Sequence, residues 1–320
     1  MKSLKAGTGS PDPRSGAEME IKMAIKDLLS SESKNEVRLL EKFLTDEQFI
    51  RLHYRMRTGK KLNLENPQTF NEKMQWLKLY DRREIYTTFA DKYEAKKYVG
   101  NLIGEKYINP VYGIWNSFDE IDFDSLPDKF VLKVTHDSGG VVICRDKASF
   151  DMKKARKKIT RRLKMNYYWV GREWQYKNVK PRVFAEKYME DFDGGNDLTD
   201  YKIHCYNGHP RVVQVIYDRF APDGMKNDHY TLDWDKLDLV RGHYSKSDQK
   251  IARPEEMDEM LEIADKLCSD YPYIRVDLYL AKHKIYFGEL TLFPASGMNP
   301  FTPASYDDLF GSWIDLPRTK

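Results

Sequence analysis

Cysteine is scarce in this 320-residue chain. Cys144, Cys205 and Cys268 stand far apart, with no spacing that suits a metal, and read as buried thiols of a reducing compartment. No run of 18 or more apolar residues occurs, so no membrane-spanning helix is expected. The amino terminus is polar and lacks a signal-peptide core, which makes a cytoplasmic location the expectation. Charge of one sign is missing too. Against 53 Lys and Arg stand 50 Asp and Glu, and the net charge of +3 does not by itself imply nucleic-acid binding. No Ser–His–Asp or Cys–His spacing suggests a covalent nucleophile.

What is present suits a soluble globular protein of two or three lobes, 41% hydrophobic and 32% charged. Residues 1–17, rich in Gly, Ser and Pro, read as a disordered tail or a stretch foreign to the natural chain. Helices are expected over about 18–29, 34–44 and 46–58. Arg51, His53, Arg55, Arg57, Lys60 and Lys61 form a basic patch that is either a solvated face or a contact for an anionic polymer or membrane surface. In 66–81 Thr69 and Glu72 make a capping box, and Phe70, Met74 and Leu77 the buried stripe. The polar residues beside Trp76 are either structural or the lining of a sugar site. A helix over about 83–99 should stop at Gly100. A basic helix follows within 146–167, and a helix begun by Pro254 runs over 254–268 with Met257, Met260, Leu261, Ala264 and Leu267 as its buried face.

Strands are expected at 129–134, 141–145, 182–188, 201–206, 211–217, 274–280 and 284–290, with an edge strand and turn within 106–116. Asn207-Gly208 marks a hairpin turn. That pattern favours an antiparallel-rich α+β architecture. Two stretches carry the chemistry. In 129–140, KFVLKVTHDSGG, a strand bearing Lys133 runs into a turn that can offer successive backbone N–H groups to an anion. A strand, not a helix, follows the glycines, unlike a Walker A site. His136 is either a ligand contact or a turn residue. In 274–291, IRVDLYLAKHKIYFGELT, Asp277 and Glu289 sit on the two arms of a hairpin, placed to hold Mg²⁺ or merely solvated. Glu289 lies in an apolar strand, and a buried acid needs a partner.

Taken together, TFNEKMQWLKLYD, DKYEAKKYV, PDKFVLKVTHDSGG, VFAEKYMED, DYKIHCYNG, IRVDLYL and YFGELTLFPASGMNPFTP resemble the TupA-like ATP-grasp family, over about residues 45–317. The resemblance implies an ATP-grasp fold, two α+β lobes clamping ATP. Residues 18–128 would be a helical and preceding region, 129–190 a small lobe with the phosphate loop, and 191–320 a large lobe with the metal-binding strands. It implies ATP and Mg²⁺, with Lys96 (Lys97 its neighbouring alternative), Lys133 and Lys202 on phosphates. His136, Asp137, Ser138, Gly139 and Gly140 would form the loop over them. Glu186, Lys187 and Tyr188 would form the adenine hinge, and Asp191 or Asp193 would hold the ribose. Arg275 would orient an acyl phosphate. Asp277 and Glu289 would bind Mg²⁺, with Thr291 where many ATP-grasp proteins have asparagine.

The activity so implied is amide formation through an acyl phosphate, with Lys133, Lys202 and Arg275 catalytic. One partner would be a cell-surface polysaccharide or sugar-linked precursor bearing a carboxylate, the other an amino acid or amine. Trp169, Trp174 and Trp313 could stack on sugar faces. The basic amino-terminal helices could touch the inner face of the membrane. Competing readings are a glycosyltransferase, for which the acidic fragments 191–193 and 121–124 are weak metal elements, a sugar kinase, and a non-enzymatic polysaccharide-binding protein.

Overall fold

The computed structural model describes residues 43–189, 198–218, 224–242, 245–248 and 250–318. The chain divides into two compact units, residues 1–49 and 50–320. The helix expected over 18–29 and nearly all of that over 34–44 lie outside the described residues. Helix α1 (Asp46–Thr58) has Asp46 and Glu47 in its first turn and Arg55 and Arg57 in its last, each sign matched to the helix dipole.

Both sheets lie in the second unit. The capping box at Thr69 and Glu72 opens α2 (Phe70–Tyr80) as expected. Its polar residues are more buried than the stripe pattern suggests. Asn71, Gln75 and Lys78 are shielded from water. Asn71 bonds Asp307, Gln75 bonds the Ser296 and Gly297 carbonyls, and Lys78 reaches Ser296 Oγ at 2.8 Å. These three tie α2 to the carboxy-terminal segment, a structural role, whereas Lys73 and Trp76 line a separate pocket with Asn66, Gln68 and Tyr80.

The single helix expected over 83–99 is two helices, α3 (Ile85–Ala90) and α4 (Lys92–Ile103). Asp91 breaks the run. Its backbone is extended, and its carboxylate caps the Tyr93 and Glu94 N–H groups. Gly100 is no stop. The helix passes through it and ends at Gly104, whose φ of +106° suits only glycine.

The first sheet has the order β1-β4-β2-β3, from β1 (Val111–Trp115), β2 (Phe130–Val134), β3 (Val141–Cys144) and β4 (Val183–Lys187). All its pairings are antiparallel. Alternation along β2 sends Phe130, Leu132 and Val134 into a core with Val183, Ala185 and, from α5 (Met152–Leu163), Ala155 and Ile159. Lys133 takes the other face, opposite Phe184, and Glu186 shares that face opposite Val131.

The second sheet has the order β10-β9-β5-β6-β7. Its strands are β5 (Asp200–Tyr206), β6 (His209–Tyr217), β7 (Lys226–Tyr230), β9 (Tyr273–Ala281) and β10 (Lys284–Thr291). The β5–β6 turn falls at Asn207 and Gly208, both at positive φ, as the sequence predicts. After the short helix α6 (Tyr168–Gly171), helix α7 (Met257–Cys268) packs on β5, β6 and β9. A two-stranded ribbon pairs β8 (Val240–Arg241) with β11 (Phe301–Thr302), and α8 (Ser305–Ser312) packs against α2. Among the described residues no helix is long and apolar enough to cross a membrane.

Candidate active site

Cross-strand register sets the site. Glu289 stands opposite Asp277, Asp277 opposite Lys202, Lys202 opposite Gln214, and Gln214 opposite His229. One polar row therefore crosses all five strands. A bulge at Gly288 puts Glu289 there. Phe287 faces Leu278, and the extra glycine shifts the ladder so that Glu289, two residues on, faces Asp277. A Cβ on Gly288 would stand 2.7 Å from the Tyr279 ring and 3.0 Å from the Asp277 carbonyl oxygen.

Asp277 is buried and held by two cations. Arg275 Nε donates to Oδ1 at 2.6 Å and Nη2 to Oδ2 at 2.7 Å, while Lys202 donates to the same Oδ2. Glu289 is looser. Its Oε1 accepts from Thr291 at 3.0 Å and from Arg275 at 3.4 Å, and its side chain is 41% exposed. Burial opposes its ionisation, but the charges of Lys92, Lys202 and Arg275 and the Thr291 hydroxyl hold its carboxyl down at about 2.

The first sheet contributes a second ion cluster. Buried Glu186 lies between Lys96, at 3.1 Å, and Lys133. Burial raises its carboxyl, yet the two ammonium charges overcome this and lower it to about 2. Burial and the neighbouring Lys133 charge lower Lys96, against the pull of Glu186.

The loop after β2 is fastened from within. Asp137 is buried, accepts the Gly140 N–H at 3.0 Å and pairs with Arg162. His136 Nε2 meets the Arg162 and Met165 carbonyls at 3.2 and 2.9 Å. Lys92 Nζ donates to the Asp137 carbonyl at 2.6 Å. Gly139 has φ of +101°, and a Cβ on Gly140 would stand 2.3 Å from Val134 Cγ2.

A cleft of about 500 Å³ lies between the sheets. It is lined by Lys96, Lys133 and Phe184 from one side, Lys202, Arg275 and Glu289 from the other, and Ser138 and Gly139 from the loop. Asp277 and Glu186 stand behind the lining as partners of those cations. The His136 and Asp137 side chains do not reach it; they brace the loop, so a contact with either as ligand residue would have to come from the main chain. Thr291 is spent on Glu289 and Arg275. Lys187 and Tyr188 line a different pocket, with Tyr112 and Tyr286. Asp191 and Asp193 lie outside the described residues. Trp169, Trp174 and Trp313 line none of the cleft; Arg172 covers Trp169, and Trp313 stacks on Phe310. Sequence reasoning missed Lys92, Gln214, Asn227, Arg241 and Asn299, all of which line it.

Mg²⁺ fits this donor set. It is commonly held by one or two carboxylates plus substrate phosphates. Glu289 Oε2 has no protein partner among the described residues, and Asp277 keeps spare lone pairs beside it. No described group of three His, Cys, Asp or Glu side chains forms a closed metal cage.

The profile of the TupA-like ATPgrasp family matches residues 72–315. No curated protein matches the chain. Among solved structures, D-alanine–D-alanine ligase from Helicobacter pylori is similar at 15% identity, over 78% of this chain and 70% of that one, with a TM-score of 0.39. The ATP complex of the Bacillus anthracis enzyme aligns at 17% identity over 70% of this chain and 63% of that one, with a TM-score of 0.37. A RimK-domain ATP-grasp protein from Sphaerobacter thermophilus aligns at 10% identity over 73% and 70%, with a TM-score of 0.41.

Proposed function

The chain belongs to the TupA-like ATP-grasp family, and from that premise we propose that it is an ATP- and Mg²⁺-dependent ligase joining a carboxylate to an amine. The carrying observation is the convergence of Lys96, Lys133, Lys202, Arg275 and Glu289 on one cleft, with Asp277 directly behind, opposite Glu289 and bound to Lys202 and Arg275.

In this reading Lys133, Lys96 and Lys202 neutralise phosphate oxygens, and the N–H groups of Ser138 and Gly139 close over them. Glu289 and Asp277 would hold Mg²⁺, which when bound would supply positive charge against the phosphates. Asp277 also fixes Arg275 and Lys202 in place. A carboxylate oxygen attacks the γ-phosphorus and ADP leaves. The amine then attacks the acyl carbon, inorganic phosphate departs with the original carboxylate oxygen, and the nitrogen loses a proton. Arg275 offsets charge on the acyl phosphate, and closure of the loop keeps water from hydrolysing it.

The substrate is a cell-surface polysaccharide or its precursor, with a uronic acid and an amino acid or amine as the pair. Membership of a family named for teichuronopeptide biosynthesis supports this. The test is ADP and phosphate release with Mg-ATP across a matrix of uronic-acid glycans and amino acids, with mass spectrometry of the products. Release that needs both partners, with a product equal to the pair minus water, is expected. A phosphorylated sugar as end product would make the protein a kinase. Glycan binding without nucleotide dependence would overturn the reading.

A further inference from the structure

Arg241 stands apart from the other cleft cations. Lys96, Lys202 and Arg275 are each paired with a carboxylate. Arg241 is only 5% exposed, lines the same cleft, and makes no ion pair or side-chain hydrogen bond among the described residues. Its face is already used. The guanidinium carbon lies 4.8 Å from the Phe70 ring centre and 4.6 Å from that of Phe301, its cross-strand neighbour on the β8–β11 ribbon. Stacking fixes the plane of the group and leaves its edge for hydrogen bonds.

That edge is specific. Nε and Nη2 are both buried and without a hydrogen-bond partner among the described residues. They are the same two nitrogens with which Arg275 takes both oxygens of Asp277. A buried cation with a fixed, empty two-pronged edge is costly unless an anion completes it. A second donor stands in the same cleft wall. Asn227 is 2% exposed and spends its Oδ1 on Gln214 Nε2 at 2.9 Å, while its Nδ2 has no partner among the described residues. His204, behind Gln214, accepts or donates at both ring nitrogens and so holds the Gln214 amide in place.

We propose that Arg241 holds a free carboxylate of a co-substrate, side-on across Nε and Nη2, with Asn227 Nδ2 as an added donor. The proposal rests on the ligase reading and deepens it. A carboxylate gripped through both oxygens is a poor nucleophile, so the group held here is a recognition handle rather than the one that is phosphorylated. One co-substrate therefore carries a carboxylate that survives the reaction. An amino acid joined through its amine meets that description, and so does a uronic-acid polymer with a second acid group.

The test is isothermal titration calorimetry on the whole chain, without nucleotide and again with Mg²⁺ and a non-hydrolysable ATP analogue. The probes are L-alanine against L-alaninamide, D-glucuronate against D-glucose, and inorganic phosphate. At least one acid should bind saturably while its neutral counterpart does not. Arg241→Gln should weaken that binding about tenfold or more, and Arg241→Lys should fall between, keeping charge but not the two-pronged edge. Asn227→Ala should weaken it less. Dependence confined to alanine assigns the handle to an amino acid; dependence confined to glucuronate assigns it to a sugar acid. Three results overturn the proposal: unchanged acid affinity in a folded Arg241→Gln protein, no acid binding at all, or Arg241-dependent binding of phosphate alone. Because acid binding is also read without nucleotide, failure of the ligase reading and failure of this one are separable.

Discussion

Arg275 grips Asp277 through both carboxylate oxygens, at 2.6 and 2.7 Å, and Lys202 shares the second of them. Asp277 is therefore an anchor for two cleft cations, proposed to act on the phosphates, as well as a candidate metal ligand. Asp277→Asn leaves both cations short of their counter-charge in a buried place. A loss of about 3–5 kcal/mol is expected, the range for breaking a buried ion pair from one side. Thermal and urea unfolding check this, and Mg²⁺ titration of the nucleotide complex should show weaker metal binding in the same variant.

Glu186 ties Lys96 to Lys133, and both lysines line the cleft. Its carboxyl lies at about 2 in the folded protein against an ordinary value of 4.5. A depressed carboxylate contributes stability that is fully present above the unfolded value and is lost as pH falls through the folded one. Wild-type stability should thus decline between about pH 4.5 and 2. Glu186→Gln should be less stable at pH 7, and the gap should narrow across that window. Urea unfolding at pH 7, 5, 4 and 3 reads it.

Asp91 caps the helix that carries Lys92 and Lys96, and also pairs with Arg182 at 2.8 Å. Asp91→Ala should cost about 1 kcal/mol through the cap alone. The larger sign should be a raised KM for ATP with a smaller change in kcat, because the helix start positions Lys92 and Lys96, which in the proposed reading meet phosphates rather than the reacting groups. Steady-state kinetics separate the two.

Gly140 closes the loop after β2, proposed to cover the phosphates, where no side chain fits, with Val134 Cγ2 at 2.3 Å and Asp137 Oδ1 at 2.6 Å from a built Cβ. Gly140→Ala should push the loop off its seat at a cost of about 1–3 kcal/mol, the range for overpacking. Nucleotide affinity should fall about tenfold or more if that cost is felt in the bound state. Fluorescent-nucleotide titration measures it.

Local features were the legible part of this sequence. The Thr69–Glu72 box, the Asn207-Gly208 turn and the alternation around Lys133 depend on neighbours within a few residues. Long-range partners were not legible. Asp91 ends one helix and starts another by capping Tyr93 and Glu94, but its carboxylate also serves Arg182, 91 residues away, a partner no local pattern announces. Glu186 reads as part of a hinge until Lys96 and Lys133 are seen around it. His136 and Asp137 sit in a glycine-rich turn that suggests ligand contacts, yet both are consumed in bracing it. Arg241 lies in a stretch without periodicity, and only the β8–β11 ribbon and the rings of Phe70 and Phe301 turn it into a cleft residue.

The most direct test of the central claim is calorimetric titration of the protein with a non-hydrolysable ATP analogue, with and without Mg²⁺. It needs no knowledge of the acceptor. The account predicts saturable, Mg²⁺-dependent binding that weakens about tenfold or more, some 1.4 kcal/mol, in Lys133→Met and Lys202→Met. Absence of nucleotide binding, or binding indifferent to Mg²⁺ and to both lysines, would contradict it.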